Sequence, residues 1–140
     1  MSAEQNHAIA QQFLTRLGQG DSPESIAELF SHGLDFEIPG DIGSLPWVGY
    51  RKGRIAAADF VRNVRSLTER LRFDVDDIFA NEQRAIILGT LATRIKSTGR
   101  LIETSFAIIL TVGSGLIARF QMLEDSFAVS LAARPTARRR

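Results

Sequence analysis

The chain contains no cysteine, and this absence excludes several kinds of chemistry. Without thiols there is no disulfide, no thiolate nucleophile and no cysteine-bound zinc or iron–sulfur centre. The two histidines form neither a His-x-His nor a His-Glu-x-x-His pattern, so there is no basis for a metal site. We therefore expect neither a metal nor any other cofactor.

Long hydrophobic runs are also missing. No apolar run reaches the roughly 18 residues that a membrane-spanning helix needs, and we expect no membrane partner. The first six residues lack the basic start and the apolar stretch of a signal peptide. Together with the lack of cysteine, these features predict a cytoplasmic protein.

The chain has no large excess of either charge, because 17 Lys and Arg residues are balanced by 16 Asp and Glu residues and the formal net charge is +1. Four arginines nevertheless lie close to the end of the chain, at Arg134, Arg138, Arg139 and Arg140. The rest of the chain has no basic stripe with interleaved aromatic residues, so we expect no nucleic-acid partner. We predict one domain over residues 1–133, followed by a basic, disordered tail over residues 134–140.

Helical spacing of apolar residues marks the first half of the chain. Glu4 to Leu17 and Arg54 to Leu71 each carry one apolar stripe, which predicts two helices. A shorter helix is predicted between them, capped by Ser22 and ending near His32. Leu34 to Pro39 then reads as a strand, and a loop follows that contains the only Trp and the only Tyr.

The second half has the character of strands. Four runs rich in branched and aromatic residues are separated by short turns, at Phe73 to Ala80, Ala85 to Lys96, Leu101 to Val112 and Leu116 to Val129. Short turns make such strands antiparallel neighbours. The order of elements predicts an α+β protein in which helices cover one face of a curved antiparallel sheet.

The last predicted strand carries Asp125 towards its far end. Alternation places Arg119, Gln121, Leu123 and Asp125 on one face, and Leu116, Ala118, Phe120, Met122 and Glu124 on the other. A face that mixes polar groups with apolar ones is typical of a pocket wall. It is equally typical of a half-exposed strand with a solvated carboxylate.

Three local patterns occur in a recognisable order. They are Phe13-Leu14 followed by Gly20-Asp21 and Ile26-Ala27-Glu28-Leu29-Phe30; Asp35-Phe36-Glu37-Ile38-Pro39-Gly40 followed by Trp47-Val48-Gly49-Tyr50-Arg51-Lys52-Gly53-Arg54; and Thr98-Gly99-Arg100, Gly115-Leu116-Ile117 and Glu124-Asp125. In this order they resemble the superfamily that contains nuclear transport factor two, ketosteroid isomerase, limonene epoxide hydrolase and the SnoaL-like polyketide cyclases.

The resemblance implies a cone-shaped, curved antiparallel sheet wrapped around three N-terminal helices, the cystatin-like or nuclear-transport-factor-two-like α+β barrel. It also implies an apolar pocket between sheet and helices, and a homodimer formed through the outer face of the sheet. The expected small-molecule partner is a hydrophobic or carbonyl-bearing ligand or substrate.

The family's better-defined catalytic sets are absent from the matching positions. Phe13, Ile38 and Ala107 stand where ketosteroid isomerase needs a tyrosine and two aspartates, so its mechanism is disfavoured. Limonene epoxide hydrolase uses two aspartates with an arginine between them. Only Asp125 matches that set, because Arg94 and Ala92 take the other positions.

A SnoaL-like cyclase, isomerase or lyase needs only one acidic residue in an apolar chamber, and Asp125 is the predicted acid/base. Arg94 or Gln121 is predicted to orient a substrate oxygen, although an ion pair between Arg94 and Asp125 would make both structural. The predicted pocket walls are Phe13, Ile38, Trp47, Tyr50 and Phe106. The alternatives are a non-catalytic binder of a small hydrophobic ligand and a dimerising interaction module of the same fold.

Overall fold

The computed structural model describes residues 2–135. Its helices are α1 (Ala3–Gly18), α2 (Pro23–Ala27), α3 (Arg54–Leu67) and α4 (Ser126–Ala133). Its strands are β1 (Phe30–Ile38), β2 (Gly49–Lys52), β3 (Thr68–Ala80), β4 (Arg84–Ile95), β5 (Leu101–Gly113) and β6 (Leu116–Glu124).

Local capping groups set the starts of the helices. At α1 the hydroxyl of Ser2 accepts from the Gln5 amide at 3.1 Å, and the Gln5 side chain accepts from the Ser2 amide at 2.9 Å. This reciprocal pair satisfies two amides that have no partner within the helix. The Ser22 hydroxyl caps α2 by accepting from the Ser25 amide at 3.0 Å, with Pro23 at the first turn, as the sequence predicts.

The six strands of the described chain form one sheet in the order β2-β1-β6-β5-β4-β3. Neighbouring strands are antiparallel except for β1 and β6, which are parallel. Those two strands are far apart in sequence, so no tight turn forces them to be antiparallel. The predicted α+β cone is confirmed, with one parallel pair in its mixed sheet.

Irregularities bend the sheet around the helices. Register shifts occur in β3 between Arg70 and Arg72 and between Val75 and Asp77, and again where β5 pairs with β6. Such bulges add twist and curvature. One face of the sheet is therefore concave and holds the helices, while the other forms the outside of the cone.

Aromatic side chains make the centre of the core. Phe36 of β1 stacks on Phe120 of β6 at 4.9 Å between ring centroids, and Phe13 of α1 meets Phe120 edge to face at 6.1 Å. Phe60 of α3 contacts Phe120 at 5.8 Å. Because one strand residue touches rings from three other elements, this cluster holds α1 and α3 against the concave face.

Several predicted boundaries are wrong at the ends of elements. The helix predicted to reach Leu71 ends at Leu67, because Thr68 onward pairs with β4 instead. Strand β1 begins at Phe30, earlier than the predicted Leu34. The loop after it includes the short edge strand β2, which pairs with β1.

The last strand was predicted to run to Val129, but it ends at Glu124 and α4 follows. Helix α4 packs against β5, and the hydroxyl of Thr98, in the turn before β5, donates to the carbonyl of Ala132 at 2.7 Å. Of the predicted basic tail, residues 136–140 lie outside the described residues.

Candidate active-site cavity

A cavity of about 120 Å³ lies between the concave face of the sheet and the helices. It is lined mainly by apolar side chains, namely Phe13, Leu17, Leu45, Trp47, Phe60, Val61, Val64, Phe73, Leu91, Ile102, Ile108, Met122 and Val129. Such a lining favours a hydrophobic ligand body and leaves orientation to a few polar groups.

Glu124 is the only carboxylate among the described residues that line this cavity. It is the last residue of β6 and lies opposite Phe106 of β5. Within residues 2–135 its side chain has no ion-pair or hydrogen-bond partner, and burial raises the pKa of its carboxyl from 4.5 to about 7. Burial disfavours the charged form of a carboxyl when no cation compensates.

Strand alternation explains why Glu124 points inward. Phe120 and Met122 precede it on the same face of β6 and are buried in the core. The end of the strand carries this alternation to the wall of the cavity, where α4 begins and Val129 completes the lining. A carboxyl with a pKa of about 7 in an apolar cavity can both donate and accept a proton near neutral pH.

Two arginines also line the cavity. Arg65 belongs to the last turn of α3 and donates to the carbonyl of Leu17 at the end of α1 and to the carbonyl of Asp21 in the loop that follows. Arg70 lies on β3 with its guanidinium carbon 4.9 Å from the centre of the Phe73 ring. Partial burial, and then repulsion from Arg65, lower the pKa of Arg70.

Two threonine hydroxyls complete the polar groups of the lining. Thr68 donates to the carbonyl of Val64 and is thereby occupied. Thr93 of β4 lies opposite Arg70 in the register, so both side chains are on the concave face. Thr93 is therefore available to contact a ligand.

Asp125, the predicted acid/base, lies outside the cavity. Its side chain is exposed and accepts from the amide of Ala128 at 3.0 Å, which caps α4. Its own amide donates to the hydroxyl of Thr104 at 2.9 Å. The structure corrects the predicted position, because the chain leaves the strand before Asp125 and the residue takes a helix-capping conformation.

The two predicted orienting residues are on the convex face. Arg94 lies 3.4 Å from a carboxylate oxygen of Glu69 and donates to the carbonyl of Gly99 at 3.0 Å. Gln121 donates to Glu37 at 3.3 Å. Both alternate with cavity residues, Arg94 with Thr93 and Gln121 with Met122, and so point away from the cavity.

The predicted walls divide into three groups. Phe13 and Trp47 line the cavity. Ile38 and Phe106 are buried in the core behind the lining. Tyr50 is 59% exposed on β2, and its hydroxyl donates to Asp35, which lowers the pKa of that carboxyl.

Glu124 was not predicted from the sequence, although the apolar pattern of its strand indicates that its side chain faces the core. Glu124 shares its strand face with Phe120 and Met122, and this face is more apolar than the one with Arg119 and Gln121. The more apolar face of a half-buried strand is the core face. Strand alternation could not identify Arg70, because this residue lies within the segment predicted as a helix, Arg54 to Leu71.

Neither a metal cluster nor a membrane span is found in the part of the chain that the structure describes. No three His, Cys, Asp or Glu side chains there are grouped so that they could hold a metal ion. No helix within residues 2–135 is long and apolar enough to cross a membrane.

The curved sheet, the helices on its concave face and the cavity between them define a nuclear-transport-factor-two-like cone. The model of the SnoaL-like domain family matches residues 10–120, and the chain belongs to this family. No curated protein matches the sequence.

Solved structures share the fold over nearly the whole chain. A nuclear-transport-factor-two-like protein from Burkholderia xenovorans LB400 is 23% identical, with a TM-score of 0.85 over 96% of this chain and 99% of that one. A proposed isomerase from Rhodopseudomonas palustris is 19% identical, with a TM-score of 0.75 over 90% and 97%. A proposed SnoaL-like polyketide cyclase from Mesorhizobium loti is 18% identical, with a TM-score of 0.67 over 82% and 95%. At these identities the likeness shows a shared fold.

Proposed function

We propose that the cavity is an active site for proton transfer on a small hydrophobic, carbonyl-bearing molecule, in a reaction of the cyclase, isomerase or lyase type. Glu124 is the acid/base in this proposal, in place of the Asp125 predicted from the sequence. The observation that carries it is the Glu124 carboxyl, which faces an apolar cavity, has no charged partner within residues 2–135 and has a pKa of about 7. General acid–base catalysis is most effective when the catalytic pKa lies near the working pH.

The size of the cavity limits the substrate. An apolar protein cavity of about 150 Å³ accommodates benzene. A cavity of about 120 Å³ therefore takes a ring or a short chain of similar size, with any larger group at the mouth.

The proposal is tested by hydrogen–deuterium exchange at the α-carbon of small ketones in D₂O, followed by proton NMR. Cyclopentanone and 4-oxopentanoate are suitable probes because they are small carbon acids. We expect exchange faster than in buffer, increasing with pH around an apparent pKa of about 7 as Glu124 ionises. Glu124→Gln should lower the catalysed rate about 10²–10⁴-fold, the usual contribution of a general base.

Asp125→Asn is the matched control, since asparagine also caps helices and the change removes only the neighbouring carboxylate. It should leave exchange unchanged. Exchange that survives Glu124→Gln, or is lost in Asp125→Asn, would contradict the assignment.

A non-catalytic binder of a small hydrophobic molecule is the second candidate. The apolar lining, with a single carboxylate among its described residues, favours it. Binding of the ketones without any catalysed exchange would support the binder.

We also propose a homodimer formed through the convex face of the sheet. Six apolar side chains form the outer apolar patch there: Phe79, Ile86, Leu88, Ala107, Ile109 and Leu123. Phe79 is 55% exposed and Leu123 is 43% exposed. A contiguous exposed apolar patch is typical of an interaction surface.

A further inference from the structure

Arg70 lies at the edge of the apolar cavity and has no counter-ion among the residues that the structure describes. Most arginines in the described chain have polar partners, such as Arg62 with Asp59 and Arg72 with Asp74. The guanidinium of Arg70 instead lies against the Phe73 ring, and within residues 2–135 it has neither an ion pair nor a hydrogen bond. All its donors are therefore available to a ligand.

The ring that this guanidinium contacts belongs to a stack of two rings. Phe73 stacks on Phe106 with ring centroids 4.9 Å apart and an angle of 18° between the planes. Phe106 in turn lies against Gly89, which has no side chain to displace it. A guanidinium stacked on an aromatic ring keeps its N–H edge free for a carboxylate or phosphate.

Glu124 does not neutralise Arg70. The two residues lie on β6 and β3, which are separated by β5 and β4 in the sheet. At about 4.8 Å per strand, the two strands are roughly 14 Å apart along the sheet before curvature shortens the distance. Accordingly, burial alone raises the pKa of Glu124, and no cation within residues 2–135 counteracts it. The cavity therefore has a cation on one side and a separate carboxyl group on the other.

We infer that the substrate is an organic anion, whose carboxylate or similar oxyanion binds Arg70 while its apolar, carbonyl-bearing part extends towards Glu124. Thr93, opposite Arg70 on β4, is placed to donate a second hydrogen bond to the same group. Arg65 adds positive charge to the lining on the same side, although its own hydrogen bonds hold it against α1. The inference rests on the proposed function only in that the cavity is the substrate site.

The test compares small acids with their neutral amides. Benzoate, phenylacetate and 4-oxopentanoate are titrated beside benzamide, phenylacetamide and 4-oxopentanamide at pH 6, where the Glu124 carboxyl is mostly protonated. Binding is read from the fluorescence of Trp47, the only tryptophan of the chain and part of the cavity lining. We expect each acid that binds to do so at least tenfold more tightly than its amide.

Arg70→Gln should abolish this preference, and Arg70→Met, which keeps the aliphatic packing, should do the same. Arg72→Gln is the matched control, because Arg72 is on the same strand but faces outward opposite Ala92. It should keep the preference. Equal affinity for acid and amide in the wild type, a preference that survives Arg70→Gln, or no binding by any of the acids would overturn the inference.

The outcome is separable from that of the proton-transfer proposal. Glu124→Gln should keep the preference for acids while it removes catalysed exchange. A protein that prefers acids but catalyses no exchange would retain the substrate class and lose the proposed chemistry. A protein that catalyses exchange but does not prefer acids would retain the proposed chemistry and lose the substrate class.

Discussion

Glu124 and Asp125 are consecutive acidic residues in opposite environments. Glu124 ends β6 and faces the apolar cavity, whereas Asp125 is exposed and caps α4. Alternation along β6 turns Glu124 to the concave face, whereas the chain leaves the strand at Asp125, whose side chain caps α4. Burial raises the pKa of Glu124. Asp125 is exposed and accepts a hydrogen bond from the Ala128 amide.

The raised pKa of Glu124 makes stability depend on pH. A carboxyl that titrates near 7 in the folded chain and near 4.5 in the unfolded chain is stabilising when protonated, and this contribution is lost as the pH rises from about 4.5 through about 7. Between pH 5 and pH 8 the loss is about 2–3 kcal/mol. Urea unfolding at both pH values measures the effect on Glu124→Gln, which has no carboxyl to ionise. The unfolding free energy of the variant relative to that of the wild type should be about 2–3 kcal/mol higher at pH 8 than at pH 5.

Glu103→Gln serves as the comparison, because Glu103 is exposed on β5. The unfolding free energy of Glu103→Gln should change between pH 5 and pH 8 by the same amount as that of the wild type. If Glu124→Gln also parallels the wild type from pH 5 to pH 8, the raised pKa is wrong.

At the scale of the element, β4 depends on a glycine at its centre. A Cβ built on Gly89 would lie 2.0 Å from the carbonyl oxygen of Asp74 and 2.8 Å from the Phe106 ring. The backbone of β3 and the ring of Phe106 therefore occupy the space that a side chain would need. Because Phe106 supports Phe73 and Phe73 supports Arg70, the glycine also determines the shape of the cavity edge.

Gly89→Ala should destabilise the protein by about 1–3 kcal/mol, the usual cost of overpacking. It should also weaken acid binding, since displacement of Phe106 moves the stack below Arg70. Chemical denaturation and the Trp47 fluorescence titration measure the two effects. Gly33→Ala is the control, because a Cβ there meets nothing within 4 Å, and it should cause no loss. Equal stability of the two variants would contradict the contact at Gly89.

At the scale of the whole molecule, the two faces of the sheet differ in what they carry. Its concave face holds the aromatic core and the cavity, and its convex face carries the outer apolar patch. Ile109 is at the centre of this patch, paired with Ile86 of β4 and with Gln121 of β6. In the proposed homodimer, Ile109 is buried against the partner.

Ile109→Glu should convert the dimer into a monomer, because a carboxylate would be buried in an apolar interface. Sedimentation velocity measures the mass, and the ligand titration checks that the cavity on the other face is intact. Ile42→Glu is the control, since Ile42 is 71% exposed in the loop before β2 and lies outside the patch. A monomeric wild type, or an Ile109→Glu dimer, would refute the interface.

The sequence alone determined the class of fold. Apolar periodicity located α1, α3 and the four long strands, because these patterns reflect burial of one side of each element. The Ser-Pro start of α2 was also predictable, because capping is a local interaction. Two of the predicted walls, Phe13 and Trp47, line the cavity in the structure.

Only the tertiary structure decided which groups meet at the cavity. The end of β6 at Glu124 depends on α4 packing against β5, and the strand character of Arg70 depends on pairing with β4. Both are long-range contacts that outweigh local propensity, and no window of sequence contains them. Packing also decided which face of β6 lines the cavity: it is the face of Met122 and Glu124, not the face of Gln121 and Leu123 on which Asp125 was predicted.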